Sequence, residues 1–282
     1  MVAVGSSRPL TSYVGAEISG INLKRLDEST VKSIWRMFLE HQVIFFRNQT
    51  LSPEDLVALG KCFGKILPPH AGLTTLKSHP DVMLAETRDG EGFGKYNTRW
   101  HSDVSFEEMP PAGSIIQAIK VPDVGGDTLF SSMYAAYENL ASPIKEMVSN
   151  LKAFHEGVPA FSWALLDPAN SEGRERLGQM KHDCPGAVHP VVRRHPETGR
   201  KALFVNRSFT TRILGLSEIE SRNLIDLLCE HCEQAAFQVR WRWMQGDVGI
   251  WDNRCLTHCA VMDYGKGHRI MHRLTLRGDR PL

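Results

Sequence analysis

Phe237-Gln-Val-Arg-Trp-Arg-Trp243 alternates apolar and polar residues without a break. A period of two is the pattern of a strand with one face in a core and the other in water, and such strands belong to antiparallel sheets. Five further strand signals surround it: Ser114 to Lys120, Asp127 to Ser131 after a Gly125-Gly126 turn, Ala202 to Asn206, Val248 to Trp251, and Arg269 to Arg277. No βαβ rhythm joins them, which argues against a doubly wound parallel sheet. The second half is read as strand-rich with helices at its flanks.

The first third reads as mostly helical. Val31, Ile34, Trp35, Phe38 and Leu39 recur at helical spacing, so one face of that helix is expected to be buried. Val43-Ile-Phe-Phe46 follows as a short strand, and Ser52-Pro-Glu-Asp55 supplies a cap, a proline and early acids for a helix ending near Gly64. Ser132 and Ser142-Pro143 mark two more helix starts, and Ser217-x-x-Glu220 is a capping box for a helix running to about Cys232. No repeat or linker splits the chain, so residues 1–282 are expected to form a single domain. Two stretches without a clear period, near 67–99 and 157–188, are read as lids or binding loops.

Composition narrows the function classes. With 33 basic against 32 acidic side chains the net charge is +1, which gives no electrostatic footprint for nucleic acid or an acidic membrane surface. No run of eighteen apolar residues and no signal-like N-terminus is present, so a cytoplasmic location is expected. The six cysteines, Cys62, Cys184, Cys229, Cys232, Cys255 and Cys259, then read as reduced thiols. A reducing compartment also keeps ferrous iron available.

Metal-ligand residue types carry the chemistry. His101-Ser-Asp103 places an imidazole and a carboxylate at i and i+2, on one face if the segment is a strand. A second copy, His79-Pro-Asp81, contains a proline that removes a ladder donor and suits a loop or edge; the copy among Trp100, Val104 and Phe106 is the better candidate. His258, just past Val248-Gly-Ile-Trp-Asp-Asn253, is the candidate third ligand. Two histidines and one carboxylate form a facial triad that leaves one side of an iron ion open. Each histidine alone also fits an ordinary structural role. Arg269 and Arg273, four apart on a predicted strand, share a face, with Ile270, His272 and Leu274 opposite. Burying two unpaired guanidiniums costs several kcal/mol each, so each is expected to meet an anion; the alternative is two surface arginines on an edge strand.

Five blocks, in order, carry a resemblance: Trp100-His-Ser-Asp-Val-Ser-Phe106; Gly125-Gly-Asp-Thr-Leu129; Ala202-Leu-Phe-Val-Asn206 with Phe209-Thr-Thr-Arg-Ile213; Trp251-Asp-Asn-Arg254 before His258; and His268-Arg-Ile-Met-His-Arg273. They resemble the taurine dioxygenase family of iron(II)- and 2-oxoglutarate-dependent oxygenases, from about Leu10 to the C-terminus. The resemblance implies a double-stranded β-helix, a cupin-like jelly roll that is mainly β with flanking helices, assembled as a homo-oligomer (dimer or tetramer). It makes His101, Asp103 and His258 the iron ligands, Arg269 the partner of the distal carboxylate of 2-oxoglutarate, and Thr128 a hydroxyl donor to that carboxylate. Asn97, Val104, Phe161, Phe209 and Arg273 match positions lining the taurine pocket. The stretch from Pro68 to Tyr96, which holds the candidate His70, does not align cleanly, and Ala160 stands where taurine enzymes often have serine.

The implied cofactors are Fe(II), 2-oxoglutarate and O2. The implied reaction hydroxylates a small organic anion, with succinate and CO2 as coproducts; an alkyl sulfonate or alkyl sulfate would release sulfite or sulfate. Aryloxyalkanoates or other carboxylic or amino acids are the alternative. A carboxylate at Asp103, where halogenases of this superfamily carry a small residue, argues for hydroxylation. Two readings of another class stand beside this one. Cys229-x-x-Cys232 with Cys255-x-x-His258-Cys259 contains enough thiolate and imidazole for structural zinc, and a jelly-roll binding protein would have the fold without the catalysis.

Overall fold

Every residue of Val43-Ile-Phe-Phe46 is buried, because the strand has neighbours on both faces. The computed structural model describes residues 5–69, 73–89, 91–92, 98–160, 178–179, 182 and 185–282. Ile44 and Phe46 pack beneath the helices Glu28–His41 and Pro53–Phe63, while Val43 and Phe45 face a core shared with a second sheet. That pleat alternation sets the layering: helices outside, a large sheet, then an inner core.

The large sheet has ten strands. Its main path runs Ser6–Pro9, Ala16–Ser19, Val43–Phe46, Val248–Asp252, Gly113–Lys120, His268–Leu276, His79–Arg88, Thr75–Leu76, with Ile66–Leu67 beside His268–Leu276 and Glu91–Gly92 beside His79–Arg88. Pairing is antiparallel except between Ala16–Ser19 and Val43–Phe46. A smaller sheet places Thr128–Ser132 between Gln238–Trp241 and Leu256–Ala260. Phe45, Ile116, Trp251 and Met271 from the large sheet meet Phe130, Val239, Trp241 and Leu256 from the small one, and Phe45 stacks on Trp241 with ring centroids 4.0 Å apart. Two antiparallel sheets closed on one core make a jelly roll, mainly β with flanking helices.

Caps and turns appear where the residue types demand them. Ser52 and Ser217 close capping boxes with Asp55 and Glu220, and Ser132 caps Met133–Glu138. Gly125 and Gly126 both have positive φ, +78° and +73°, and a Cβ on Gly125 would stand 2.4 Å from Asp263 Oδ1. That turn delivers Thr128 to the start of its strand. A third cluster packs Glu218–Cys232 and Met133–Glu138 against Val191, Leu203 and Ile213. Among the described residues no helix is long and apolar enough to cross a membrane.

Three expectations need correction. The first third is not mostly helical: Glu28–His41 and Pro53–Phe63 are its two α-helices among the described residues, and the rest of its regular structure is strands, all but His79–Arg88 of two to four residues. Two-to-four-residue strands borrow stability from neighbours and leave no period of their own. The stretch 67–99 is not simply a loop, since it contains the ten-residue strand His79–Arg88 paired with His268–Leu276. Met83, Ala85 and Thr87 point inward there, and a small and a polar residue at core positions hide the alternation. Finally, His101 makes only an isolated bridge to His258, and Asp103 lies in a turn. Most of the stretch 157–188 lies outside the described residues.

Candidate metal centre

The turn between Val248–Asp252 and Leu256–Ala260 carries the chain from the large sheet to the small one, and His258 sits in the second of these strands. Its backbone bonds His101 in both directions, 3.0 Å from His101 N to His258 O and 2.8 Å from His258 N to His101 O. This bridge holds the two imidazoles with centroids 4.2 Å apart. Two residues on, the chain turns so that Asp103 Oδ1 stands 3.5 Å from His258 Nε2 and 3.8 Å from His101 Nε2. The turn continues through Val104, whose φ of +37° is unusual for a β-branched residue and costs about 1–3 kcal/mol.

All three side chains are buried, and one ligand atom from each lies within 4.8 Å of the others. His101 Nδ1 bonds the Arg99 carbonyl at 2.7 Å, which makes that nitrogen the protonated one and leaves Nε2 as a free lone pair. Burial holds both imidazoles below their ordinary range, with each further lowered by Arg273 and His258 also by His101. Burial alone would raise Asp103, yet Arg273, His258, His101 and a Ser114 hydrogen bond together hold it well below the carboxylate range. Two neutral imidazoles and one carboxylate are a donor set for a borderline divalent ion such as iron.

The two arginines have different surroundings. Both lie on the inner face of His268–Leu276, as does Met271, while Leu274 packs under the helices. Arg273 Nη2 contacts Asp103 Oδ2 and donates to Ser114 Oγ at 3.0 Å. Its charge is therefore met by the protein, and the argument that it needs an anionic ligand does not hold. Arg269 is 8% exposed, its Nε has no hydrogen-bond partner, and among the described residues no carboxylate pairs with it. Burial pushes it down to about 10, against weaker support from Tyr264 and Asp127. A lone buried guanidinium is costly unless an anion joins it, and a dicarboxylate cosubstrate fits that vacancy of charge. Thr128 Oγ1 accepts the indole N–H of Trp243 at 2.9 Å. Its own hydrogen remains available to donate.

Among the other candidates, Phe209 stands edge-on to His101 with centroids 6.2 Å apart and against Phe106 at 5.0 Å. Val104 adjoins the ligand turn. His70, Asn97 and Phe161 lie outside the described residues. Ser114, Asn253 and Trp243 carry no sequence signal for a site role, although each touches a site residue. A serine opening an apolar run and an asparagine in a turn are common.

A second buried group joins His195, Asp252 and Cys255. Here Arg254 grips Asp252 at both oxygens, 2.8 Å each, and reaches Glu197 Oε1 at 2.7 Å. His195 Nδ1 receives the backbone N–H groups of Glu197 and Thr198, so its Nε2 donates to Asp252 at 3.0 Å. Among the described residues no group gathers Cys229 and Cys232 with Cys255 or His258; the first two are buried on the Glu218–Cys232 helix, where burial pushes both thiols up.

A buried His-Asp-His centre in a jelly roll, with a buried guanidinium that no carboxylate among the described residues pairs, is how a non-haem iron oxygenase using a keto-dicarboxylate is built. Comparison with known proteins agrees: the chain belongs to the taurine catabolism dioxygenase TauD, TfdA family, whose model matches residues 6–275. It is 37% identical to an alpha-ketoglutarate-dependent sulfate ester dioxygenase of Pseudomonas putida over 97% of this chain and 90% of the relative. It is 36% identical to an alkylsulfatase of Acinetobacter baylyi over 96% of this chain and 84% of the relative. A crystal structure of a taurine dioxygenase from Burkholderia xenovorans superposes with a TM-score of 0.82 at 34% identity, covering 99% of this chain and 91% of that one. The protein is a 2-oxoglutarate-dependent dioxygenase, and its cofactors are Fe(II), 2-oxoglutarate and O2.

Proposed function

We propose that the enzyme oxidises a small sulfur-oxyanion compound, an alkyl sulfate ester or alkyl sulfonate, at the carbon bearing the sulfur group. The observation that carries the cosubstrate half of this reading is Arg269, a buried cation that no carboxylate among the described residues pairs. The substrate half rests on similarity to the sulfate ester dioxygenase and the alkylsulfatase, with phenoxy-acid dioxygenases of the family less similar.

His101, Asp103 and His258 hold the iron, and Arg269 with Thr128 holds the distal carboxylate of 2-oxoglutarate. Bound iron, with 2-oxoglutarate and O2, supplies oxidative decarboxylation to succinate and CO2 and the oxidising power to hydroxylate a C–H bond. The chain supplies placement and dryness. Trp243, by donating to Thr128, turns the threonine hydrogen toward an acceptor other than itself. Phe209 and Val104 wall the space beside the ligands with carbon, which favours an alkyl group there. A hydroxyl placed on a carbon that bears a sulfate ester makes an unstable adduct; the C–O bond to sulfate breaks, the hydroxyl proton leaves, and an aldehyde and sulfate result. The working form is a cytoplasmic homo-oligomer, which light scattering on the full chain would check.

The test is a screen of 2-oxoglutarate turnover against alkyl sulfates, alkyl sulfonates, aryloxyalkanoates and amino acids. Succinate formation matched one-for-one by sulfate or sulfite supports the proposal. Coupled turnover confined to aryloxyalkanoates, with release of a phenol, replaces it with the alternative.

A further inference from the structure

Asp103 offers two carboxylate oxygens, and the protein has occupied one of them. Oδ2 accepts from Ser114 Oγ at 2.8 Å and meets Arg273 Nη2. Among the described residues Oδ1 faces the two imidazole Nε2 atoms, at 3.5 and 3.8 Å.

The direction of the Ser114 hydrogen follows from its neighbours. Arg273 Nη2, 3.0 Å from Ser114 Oγ, can only donate. Asn253 comes at the same oxygen from 3.3 Å, and its orientation is fixed elsewhere. The indole Nε1 of Trp251, also a pure donor, is 2.9 Å from Asn253 Oδ1, and the Asp103 backbone N–H approaches that oxygen at 3.4 Å. The amide oxygen thus takes two donors and the amide nitrogen is turned to Ser114. With both lone pairs receiving hydrogens, Ser114 has one direction left for its own, toward Asp103 Oδ2. Asn253 cannot drift: its N–H donates to Ala112 O at 3.0 Å, and its carbonyl accepts from Ser102 Oγ at 2.6 Å. Ser102, Asp103, Ser114 and Asn253 are all 4% exposed or less, so water does not compete for these bonds.

The geometry points to Ser114 and Asn253 as positioning residues that present Asp103 to the metal through Oδ1 alone. This rests on the reading of His101, Asp103 and His258 as the iron ligands. With Oδ2 withdrawn into the Ser114–Asn253–Arg273 set, the carboxylate would offer the metal one oxygen beside the Nε2 atoms of His101 and His258.

The experiment is anaerobic titration of the full chain with Mn(II), together with infrared spectra of protein carrying 13C-labelled aspartate. The splitting between the two carboxylate stretches narrows when a carboxylate passes from one-oxygen to two-oxygen ligation. Ser114→Ala should lose about 10–100-fold in Mn(II) affinity, the usual range for partners of metal ligands, and should narrow the splitting. Ser114→Thr, which keeps the hydroxyl, should restore both. Wild-type affinity and splitting in Ser114→Ala would overturn the proposal. Should Ser114→Ala fail to fold, Asn253→Asp serves, because it exchanges the amide donor for an acceptor that competes for the Ser114 hydrogen. Affinity should then fall although a negative charge has been added; unchanged or tighter binding counts against the idea. Asp103→Ala separates the two levels, since Mn(II) binding that survives this change removes Asp103 from the ligands altogether.

Discussion

Two buried groups in this protein contain a histidine and an aspartate within bonding reach, and they have opposite uses. At His195 and Asp252 every polar atom named is spoken for: Arg254 holds both carboxylate oxygens and the imidazole is bonded at both nitrogens. At His101, Asp103 and His258 one carboxylate oxygen stands 3.5 and 3.8 Å from the two imidazole Nε2 atoms. The first group is neutralised by an internal cation and acts as a brace for the turn 252–255. In the second, Arg273 meets Asp103 Oδ2 alone, and Oδ1 with the two imidazole Nε2 atoms is the set we propose holds the metal. Closeness of ligand-type residues is shared, so it does not identify a metal site; ligand atoms that, among the described residues, are turned toward one another and not toward protein donors do.

The sharpest break of this contrast comes from the ligands. His101→Ala, Asp103→Ala and His258→Ala should each abolish coupled 2-oxoglutarate turnover, because two ligands do not hold a labile ferrous ion in a defined geometry. Cys255→Ala and His195→Gln should retain stoichiometric iron. Iron lost equally from both sets, followed by metal analysis, would erase the distinction.

Next in size is a difference of sign between two buried arginines. Arg254→Met leaves Asp252 buried without its bidentate partner and should cost about 3–5 kcal/mol of folding stability, measured by denaturant melts. Arg269→Met removes a buried cation that no carboxylate among the described residues pairs, so the cosubstrate-free protein should be no less stable than wild type and melt at an equal or higher temperature. A large destabilisation there would reveal a partner for Arg269 that the folded chain supplies itself.

In ligand binding the order reverses. Arg269→Ala should weaken 2-oxoglutarate by about 2–5 kcal/mol, the range for losing one partner of a desolvated charge pair, read from the anaerobic visible band of the ferrous complex. Thr128→Val should cost about 1 kcal/mol, one hydroxyl contact. Equal effects from the two would mean that the guanidinium does not carry the carboxylate.

The brace and the open site also differ in how far they could be read in advance. His101, Asp103, His258 and Arg269 stand in or beside short blocks that resemble a known family, so the sequence by itself points to them. Helix starts at Ser52, Ser132 and Ser217 were equally legible, since a capping hydrogen bond spans three residues and depends on little else. The alternation of Gln238–Trp241 named its own buried face.

What the tertiary structure alone decided is which charges meet. Arg269 and Arg273 share a residue type, a strand and a face, and nothing local separates them. Arg273 is compensated because Asp103 comes from a turn 170 positions earlier in the numbering, while among the described residues no carboxylate pairs with Arg269. The strand His79–Arg88 was hidden for the same reason, its place being fixed by pairing with His268–Leu276 and not by its own residues. Caps and alternation are short-range and written in the sequence. Pairing of strands and compensation of buried charge are settled between distant segments, because a sheet register or an ion pair exists only once both partners have arrived.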